Sequence, residues 1–402
     1  MIVGIIAEYN PFHNGHRYQI EQIKKEFPNA KIIVLMSGSF TQRGESAILD
    51  KFTRAELAIK GGCDLVLELP FFFAVRSAQD FARGGINIFK NLGLVDFLAF
   101  GAEISDLELL KKVANFSDTV EFNGILQQKI NTGLSYANAI CQTLSKLSGI
   151  DKKVLRLPNI ILSIEYLRSL KNLSIQPLLI PRILSSHNDE NLNEKISSAS
   201  AIRKEVYSKN PSWLKISDTI DNETLAALKS AELPDQEKLF LPLMTKIICS
   251  NSEELKKIYG MNEGLENKII SVVNSAKNYE EMVNLIVSRR YTRSKVQRLL
   301  LHLLIGLEKN HVKSFDQSYA RILAFNNAGR ELIQSIKKTA SIPLITKAAK
   351  HITSKLIYEN SRNLEVYQEI LQFDIISTDI FSMLHSNFQL KQDFMHSPIY
   401  VK

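Results

Sequence analysis

The chain has 402 residues, of which 45% are hydrophobic and 23% charged, and a net charge of +8; this suits two or three globular domains with a sizeable core. No apolar run approaches the roughly 20 residues of a membrane span, and the first residues read as a strand rather than a signal peptide. Cys63, Cys141 and Cys249 stand too far apart for a disulfide framework or a zinc pattern, so a cytoplasmic protein is the expectation.

Ile2 to Ala7 is a nearly continuous apolar run rich in β-branched residues, the pattern of a strand buried on both faces of a parallel sheet. Pro11 stops it, Asn14-Gly15 supplies turn chemistry, and Ile20 and Ile23 then fall at helical spacing. His13 and His16 stand about one turn apart at the entrance of that helix. Unpaired N–H groups and the positive end of the helix dipole favour phosphate there. The His-x-Gly-His arrangement resembles the signature of the nucleotidyltransferase superfamily, whose members direct attack on the α-phosphate of a nucleotide and release pyrophosphate. Such a site positions two substrates and donates hydrogen bonds to developing charge. Each imidazole offers an N–H near neutral pH, a protonated ring adds charge, and Gly15 lets the backbone approach the nucleotide.

Lys31 to Ser37 reads as a second buried strand, followed by the polar loop Ser37 to Glu45 at its C-terminal end, where open parallel sheets bind ligands. Asp50 is placed to cap a helix running to Lys60, with Gly61-Gly62 as its stop. Asp64 to Pro70 gives a third strand, Ser77 to Leu92 a helix, and Asp96 to Glu103 a fourth strand that ends in Gly101 on the ligand side. Strands alternating with helices imply right-handed crossovers and a doubly wound parallel sheet. Arg43 is a possible phosphate contact or a solvated turn residue, while Arg76 and Arg83 suit structural salt bridges.

Further along, a helix is expected to start near Asn159, and Ile175 to Arg182 forms another strand with an arginine at its end. His187 and Asp189 are weak candidates for a proton acceptor. Ser198, Ser200 and Arg203 lie in Ser-Ser-Ala-Ser-Ala-Ile-Arg, which resembles the superfamily's second signature, where hydroxyl and backbone donors and an arginine hold the triphosphate. Ala199 occupies a position where a second hydroxyl is usual, and a simple N-cap is the competing reading.

From about residue 205 to 402 the strand–helix alternation gives way to Leu and Ile at helical spacings, the pattern of a mainly helical domain. The expected division is therefore 1–204 for nucleotide chemistry and 205–402 for a basic helical domain. The positive excess is two in residues 1–200 and six in 201–402. Residues 285–313 hold seven Lys or Arg against one acid. Arg289, Arg290, Arg293, Lys295 and Arg298 are the candidates for RNA phosphate contact, with the apolar face of Val296, Leu299, Leu300, Leu303 and Leu304 buried. A solvated basic face is the plain alternative.

The blocks Gly4 to His16, Met36 to Glu45, Thr53-Arg-Ala-Glu, Leu67 to Phe71, Phe100 to Glu103, Leu157-Pro-Asn159, Ile164-Glu-Tyr and Ser200 to Arg203 together resemble the bacterial tRNA(Met) cytidine acetate ligase family over essentially the whole chain. The resemblance implies formation of N4-acetylcytidine at the wobble position (C34) of elongator tRNA(Met), from acetate and ATP through acetyl-adenylate, with release of AMP and pyrophosphate. It implies catalytic roles for His13 and His16. It also implies ATP contacts from Ala7, Glu8, Tyr9, Asn10, Pro11, Phe12, His13, Asn14, Gly15, His16, Arg17, Tyr18, Gln19 and Ile20, and from Gly101, Asn159 and Arg182. Ser198, Ser200 and Arg203 are expected on the β- and γ-phosphates. Mg²⁺ is expected with ATP, but no carboxylate cluster in the sequence identifies ligands for it. No membrane and no stable protein partner is expected. A small-molecule adenylyltransferase would use the same signatures but leave the basic helical half without a purpose. A non-catalytic nucleotide or RNA-binding regulator would tolerate loss of both histidines.

Overall fold

The structure is a computed structural model describing residues 1–117, 119–182, 197–262, 264–314, 317–358 and 364–402. Strands β1 (Ile2–Ala7), β2 (Lys31–Ser37), β3 (Leu65–Leu69), β4 (Phe97–Ala102) and β5 (Gln176–Pro181) form parallel neighbours in the order β5-β4-β1-β2-β3. Their near-continuous apolar sequence follows from helices covering both faces; β2 and β3 are buried along almost their whole length. The order reverses between β1 and β4, and the crevice outside the carboxyl ends of those two strands is where an open α/β sheet takes its ligand.

The helices begin and end where the sequence places the signals. Asp50 caps Lys51–Lys60 by accepting from the amides of Phe52 and Thr53, and Ser77 caps Ala78–Leu92, which ends at Gly93 in the left-handed region. The first helix runs Asn14–Glu26, so Asn14 and Gly15 belong to its first turn and His13 itself is its N-cap. The helix Pro158–Ser169 has Pro158 at its first position and no side-chain cap, so Asn159 lies inside the first turn rather than capping it.

The sheet does not end with β5. Three further strands, β6 (Ala320–Phe325), β7 (Leu344–Ile345) and β8 (Ile399–Tyr400), come from the second half of the chain. β6 lies antiparallel against β3, with Glu68 opposite Arg321, and carries β7 and β8. The second half is otherwise helical, as its periodicity implies, but its last eighty or so residues complete the first half's sheet.

A buried ionic network fastens that junction. Lys51 Nζ lies 2.7 Å from Glu68 Oε1 and 2.8 Å from Asp393 Oδ1. Arg321 pairs with Glu68 at 3.1 Å and with Asp393 at 2.8 Å. Asp374 completes the cluster, accepting from the Phe71 amide at 2.6 Å and from the Tyr319 hydroxyl. Burial, reinforced by Glu68, raises its carboxyl far above the usual range. Lys51 and Arg321 thus face the carboxylates of Glu68 and Asp393, in a place where an unmatched charge would cost several kcal/mol.

Candidate active site

The segment leaving β1 is shaped residue by residue. Glu8 accepts the Gln42 amide at 2.8 Å, and Asn10 Oδ1 accepts the Ile48 amide at 2.7 Å. Tyr9 adopts φ 45°, in the left-handed region that a bulky residue rarely visits. It is held there by a buried ring packed edge-on against Phe12 and His16. The Asn10–Pro11 peptide is cis. Phe12 and Ile20 are buried in the core. Arg17 turns away to Asp221 at 2.9 Å, and Asn14 is anchored to the carbonyls of Asp218 and Thr219. What the segment leaves at the crevice is its pair of histidines.

Those two rings stack with centroids 3.7 Å apart and planes 27° from parallel. The Gly15 amide donates to His13 Nδ1 at 3.0 Å, and the His13 amide donates to His16 Nδ1 at 3.3 Å, a capping box built from imidazoles. A backbone N–H can only donate, so both Nδ1 atoms carry lone pairs and both protons sit on Nε2. Burial, then Arg182 and Arg203, brings the His13 pKa down to about 3. Burial, His13 and Arg182 hold His16 well below its ordinary value. Of the two forms the sequence left open, the protonated ring is thus disfavoured, and the site presents two neutral N–H donors with positive charge supplied by arginine.

Arg203 comes from the helix Ala199–Val206, whose N-cap Ser198 accepts from the Ala201 amide at 3.1 Å. Its guanidinium donates to the Asn10 carbonyl at 2.8 Å and lies 3.4 Å from Glu45. Ser200 is exposed on the same first turn. Arg182 follows β5, its amide donating to the Ala102 carbonyl at 3.1 Å. A Cβ on Gly101 would meet Arg182 Cγ at 3.2 Å, so the absent side chain leaves the arginine room to cross the end of β4. Asn159 donates to Glu103 Oε1 at 2.6 Å, while Glu103 Oε2 is buried with no hydrogen-bond partner among the described residues. His187 and Asp189 lie outside the described residues.

Two residues escaped the sequence reading of the site. Arg54, fully buried, donates to the carbonyls of Leu49, Glu8, Ser37 and Gly38, tying the carboxyl ends of β1 and β2 together. Its signals are its place in the block Thr53-Arg-Ala-Glu and an arginine on the buried side of an apolar helix, neither of which assigns it to the site. Glu103 was visible as a carboxylate on the ligand side of β4, yet it acquires a partner only through the fold.

The basic run behaves unevenly. Arg289 is exposed and Arg290 half-buried. Arg293 is bound by both guanidinium nitrogens to Glu280, and Lys295 lies 4.5 Å over the Tyr291 ring. Arg298, expected to remain available to phosphate, instead donates to the Gln42 carbonyl at 2.9 Å, and burial brings its pKa down to about 10. Gly44, at φ +77°, packs so closely on this helix that a Cβ would lie 2.5 Å from the Arg298 amide nitrogen.

A crevice at the switch point of a parallel sheet, with two helix-capping histidines and arginines from two later segments, defines an α/β nucleotide-binding protein. The family model described as HIGH Nucleotidyl Transferase matches residues 1–394. The tRNA(Met) cytidine acetate ligase of Clostridium perfringens strain SM101 is 36% identical over 99% of both chains. The protein of that name from Caldanaerobacter subterraneus subsp. tengcongensis is 36% identical over 98% of both. The crystal structure of Thermotoga maritima TmcAL bound with alpha-thio ATP superposes with a TM-score of 0.87 at 28% identity, covering 100% of this chain and 99% of that one. This chain belongs to the HIGH nucleotidyl transferases and, among them, to the tRNA(Met) cytidine acetate ligase family.

Proposed function

We propose that the chain joins acetate to ATP as acetyl-adenylate and transfers the acetyl group to N4 of the wobble cytidine of elongator tRNA(Met). The observation that carries this reading is the meeting of the two signature segments: Arg203 donates to the backbone of the loop that holds His13 and His16. Acetate is a poor acyl donor, and attack of its carboxylate oxygen on the α-phosphorus expels pyrophosphate. His13 and His16 donate from Nε2 to the phosphate oxygens while Arg182 and Arg203 match the charge, with Ser198 and Ser200 beside the β- and γ-groups. Asn159 and the backbone of Gly101 face adenosine. N4 then attacks the acetyl carbon and AMP leaves.

Residues 1–204 carry the adenylate chemistry in this reading, and the tRNA docks on the helical half, with Arg289 and Arg290 toward its phosphates. Mg²⁺ fits as a companion of ATP: among the described residues no group of three or more His, Cys, Asp or Glu could hold a metal ion, so triphosphate oxygens and water would be its ligands. Among the described residues no helix is long and apolar enough to cross a membrane; the proposed place of work is the cytoplasm, where tRNA is.

The test is incubation with ATP, labelled acetate and elongator tRNA(Met), followed by digestion to nucleosides. Labelled N4-acetylcytidine that requires ATP and disappears in His16→Ala supports the reading. No label from a folded, ATP-binding chain refutes it.

A further inference from the structure

We propose that a cavity beside Arg203 receives the acceptor cytidine, with Glu45 as the carboxylate that takes the proton from its exocyclic amine; this rests on the ligase reading above. The cavity measures about 550 Å³, within the range of small-molecule sites. Glu45 and Arg203 line it together with Tyr279, Glu280 and Arg293. A residue read from the sequence as a triphosphate contact and another read as an RNA contact therefore line a single space. The transfer step needs such a meeting place, because the acceptor base must reach the adenylate while its strand stays on the RNA-binding surface.

The lining has the chemistry of a nucleotide bearing an amino group. Carboxylates accept from the N4 amine of cytosine. Tyr207 also lines the cavity, 49% exposed, with its hydroxyl donating to the Pro234 carbonyl at 3.2 Å. A ring fixed in that way is a platform on which an unstacked base can lie.

Glu45 reaches the cavity because Gly44 bends the loop before it, and its Oε2 lies 3.4 Å from the Arg203 guanidinium. The lone pair of cytosine N4 is delocalised into the ring, which makes the amine a weak nucleophile until a proton leaves. As N4 bonds to the acetyl carbon, the bond from that carbon to the phosphate oxygen breaks, and its electron pair departs on AMP. The N4 proton passes to Glu45 and then to solvent.

Two assays on the full chain separate the steps: acetate-dependent exchange of labelled pyrophosphate into ATP, which needs no RNA, and single-turnover acetyl transfer to elongator tRNA(Met). Glu45→Gln, whose amide oxygen still accepts from Arg203 but cannot take a proton, keeps exchange within about threefold and slows transfer by about 10² or more, the usual contribution of a positioned base. Tyr207→Ala, at a half-exposed ring, raises the KM for tRNA by about tenfold and spares exchange. Equal losses in both assays for Glu45→Gln, with circular dichroism unchanged, would mean that Glu45 only steadies Arg203, and the assignment fails. Unimpaired transfer in both variants overturns it as well. A wild-type chain that exchanges pyrophosphate but never acetylates the tRNA sinks the ligase reading itself, and this assignment with it.

Discussion

Arg203 donates to the carbonyl of Asn10 at 2.8 Å across 193 positions of sequence. The same guanidinium touches Glu45, so one side chain spans two loops with a planar fork. Lysine keeps the charge and loses the fork. Arg203→Lys is expected to lower kcat/KM for ATP in pyrophosphate exchange by about 10–100-fold, equivalent to one or two strong hydrogen bonds, with little change in melting temperature. Full exchange in the lysine variant would show that charge alone suffices.

His13 is both a cap and a donor, and substitution separates the two. Asparagine caps well, whereas alanine at an N-cap costs about 1 kcal/mol. His13→Asn should match the wild-type urea midpoint, and His13→Ala should fall below it. Both should lose at least about 10²-fold in exchange, because neither presents a hydrogen-bond donor at the Nε2 position. Retained exchange in His13→Asn would remove the ring from the chemistry.

The capped tautomers predict how the free protein responds to acid. An unfolded histidine protonates near pH 6.5, whereas His13 in the fold does so only near 3 and His16 is also held low. Stability is therefore unaffected by these groups above about pH 6.5 and declines as pH falls below it, by up to about 1.4 kcal/mol per pH unit for each group. Imidazole ¹H–¹⁵N spectra should show both rings as Nε2–H tautomers, unchanged between pH 8 and 5. A transition near 6.5 in either ring contradicts the capping box.

Arg289 and Arg298 are both basic residues of one run, yet they predict different losses. Arg289 is exposed, and its replacement by alanine should weaken tRNA binding and lower the salt slope by about one unit, so that the loss is largest at low salt. Arg298→Ala frees the Gln42 carbonyl instead. It should lower stability by about 1–3 kcal/mol and leave the salt slope unchanged. Filter binding at several salt concentrations, beside urea unfolding, distinguishes them.

Lys51 is almost wholly buried between Glu68 and Asp393. Lys51→Met leaves two carboxylates to a single arginine and should cost about 3–5 kcal/mol at pH 7. An unchanged urea midpoint would mean that the network relaxes without loss.

The parallel core of the fold was legible because each strand from β1 to β5 is a short apolar run closed by turn chemistry, and each helix between them carries its own cap. β6 was not. Ala320 to Phe325 is a brief apolar run set among helical spacings, where periodicity cannot tell a buried strand from a buried helix turn. Its antiparallel seat against β3 depends on Glu68 and Arg321, which lie too far apart in sequence to announce each other. The candidate site divides along the same line. The histidines advertise themselves by placement after β1, but their tautomer follows from the capping hydrogen bonds, and the commitment of Arg298 follows from a loop 256 positions away.

The junction between β3 and β6 bears on how the chain is made. β1 to β5 leave the ribosome first, yet Glu68 acquires Arg321 only after some 250 further residues, and Lys51 acquires Asp393 later still. A nascent chain paused between those points holds a carboxylate and an ammonium on a sheet edge that still lacks its neighbour. Arg321 and Asp393 then add one charge of each sign, and β6 covers that edge, so the first half of the sheet waits for a segment from far along the chain.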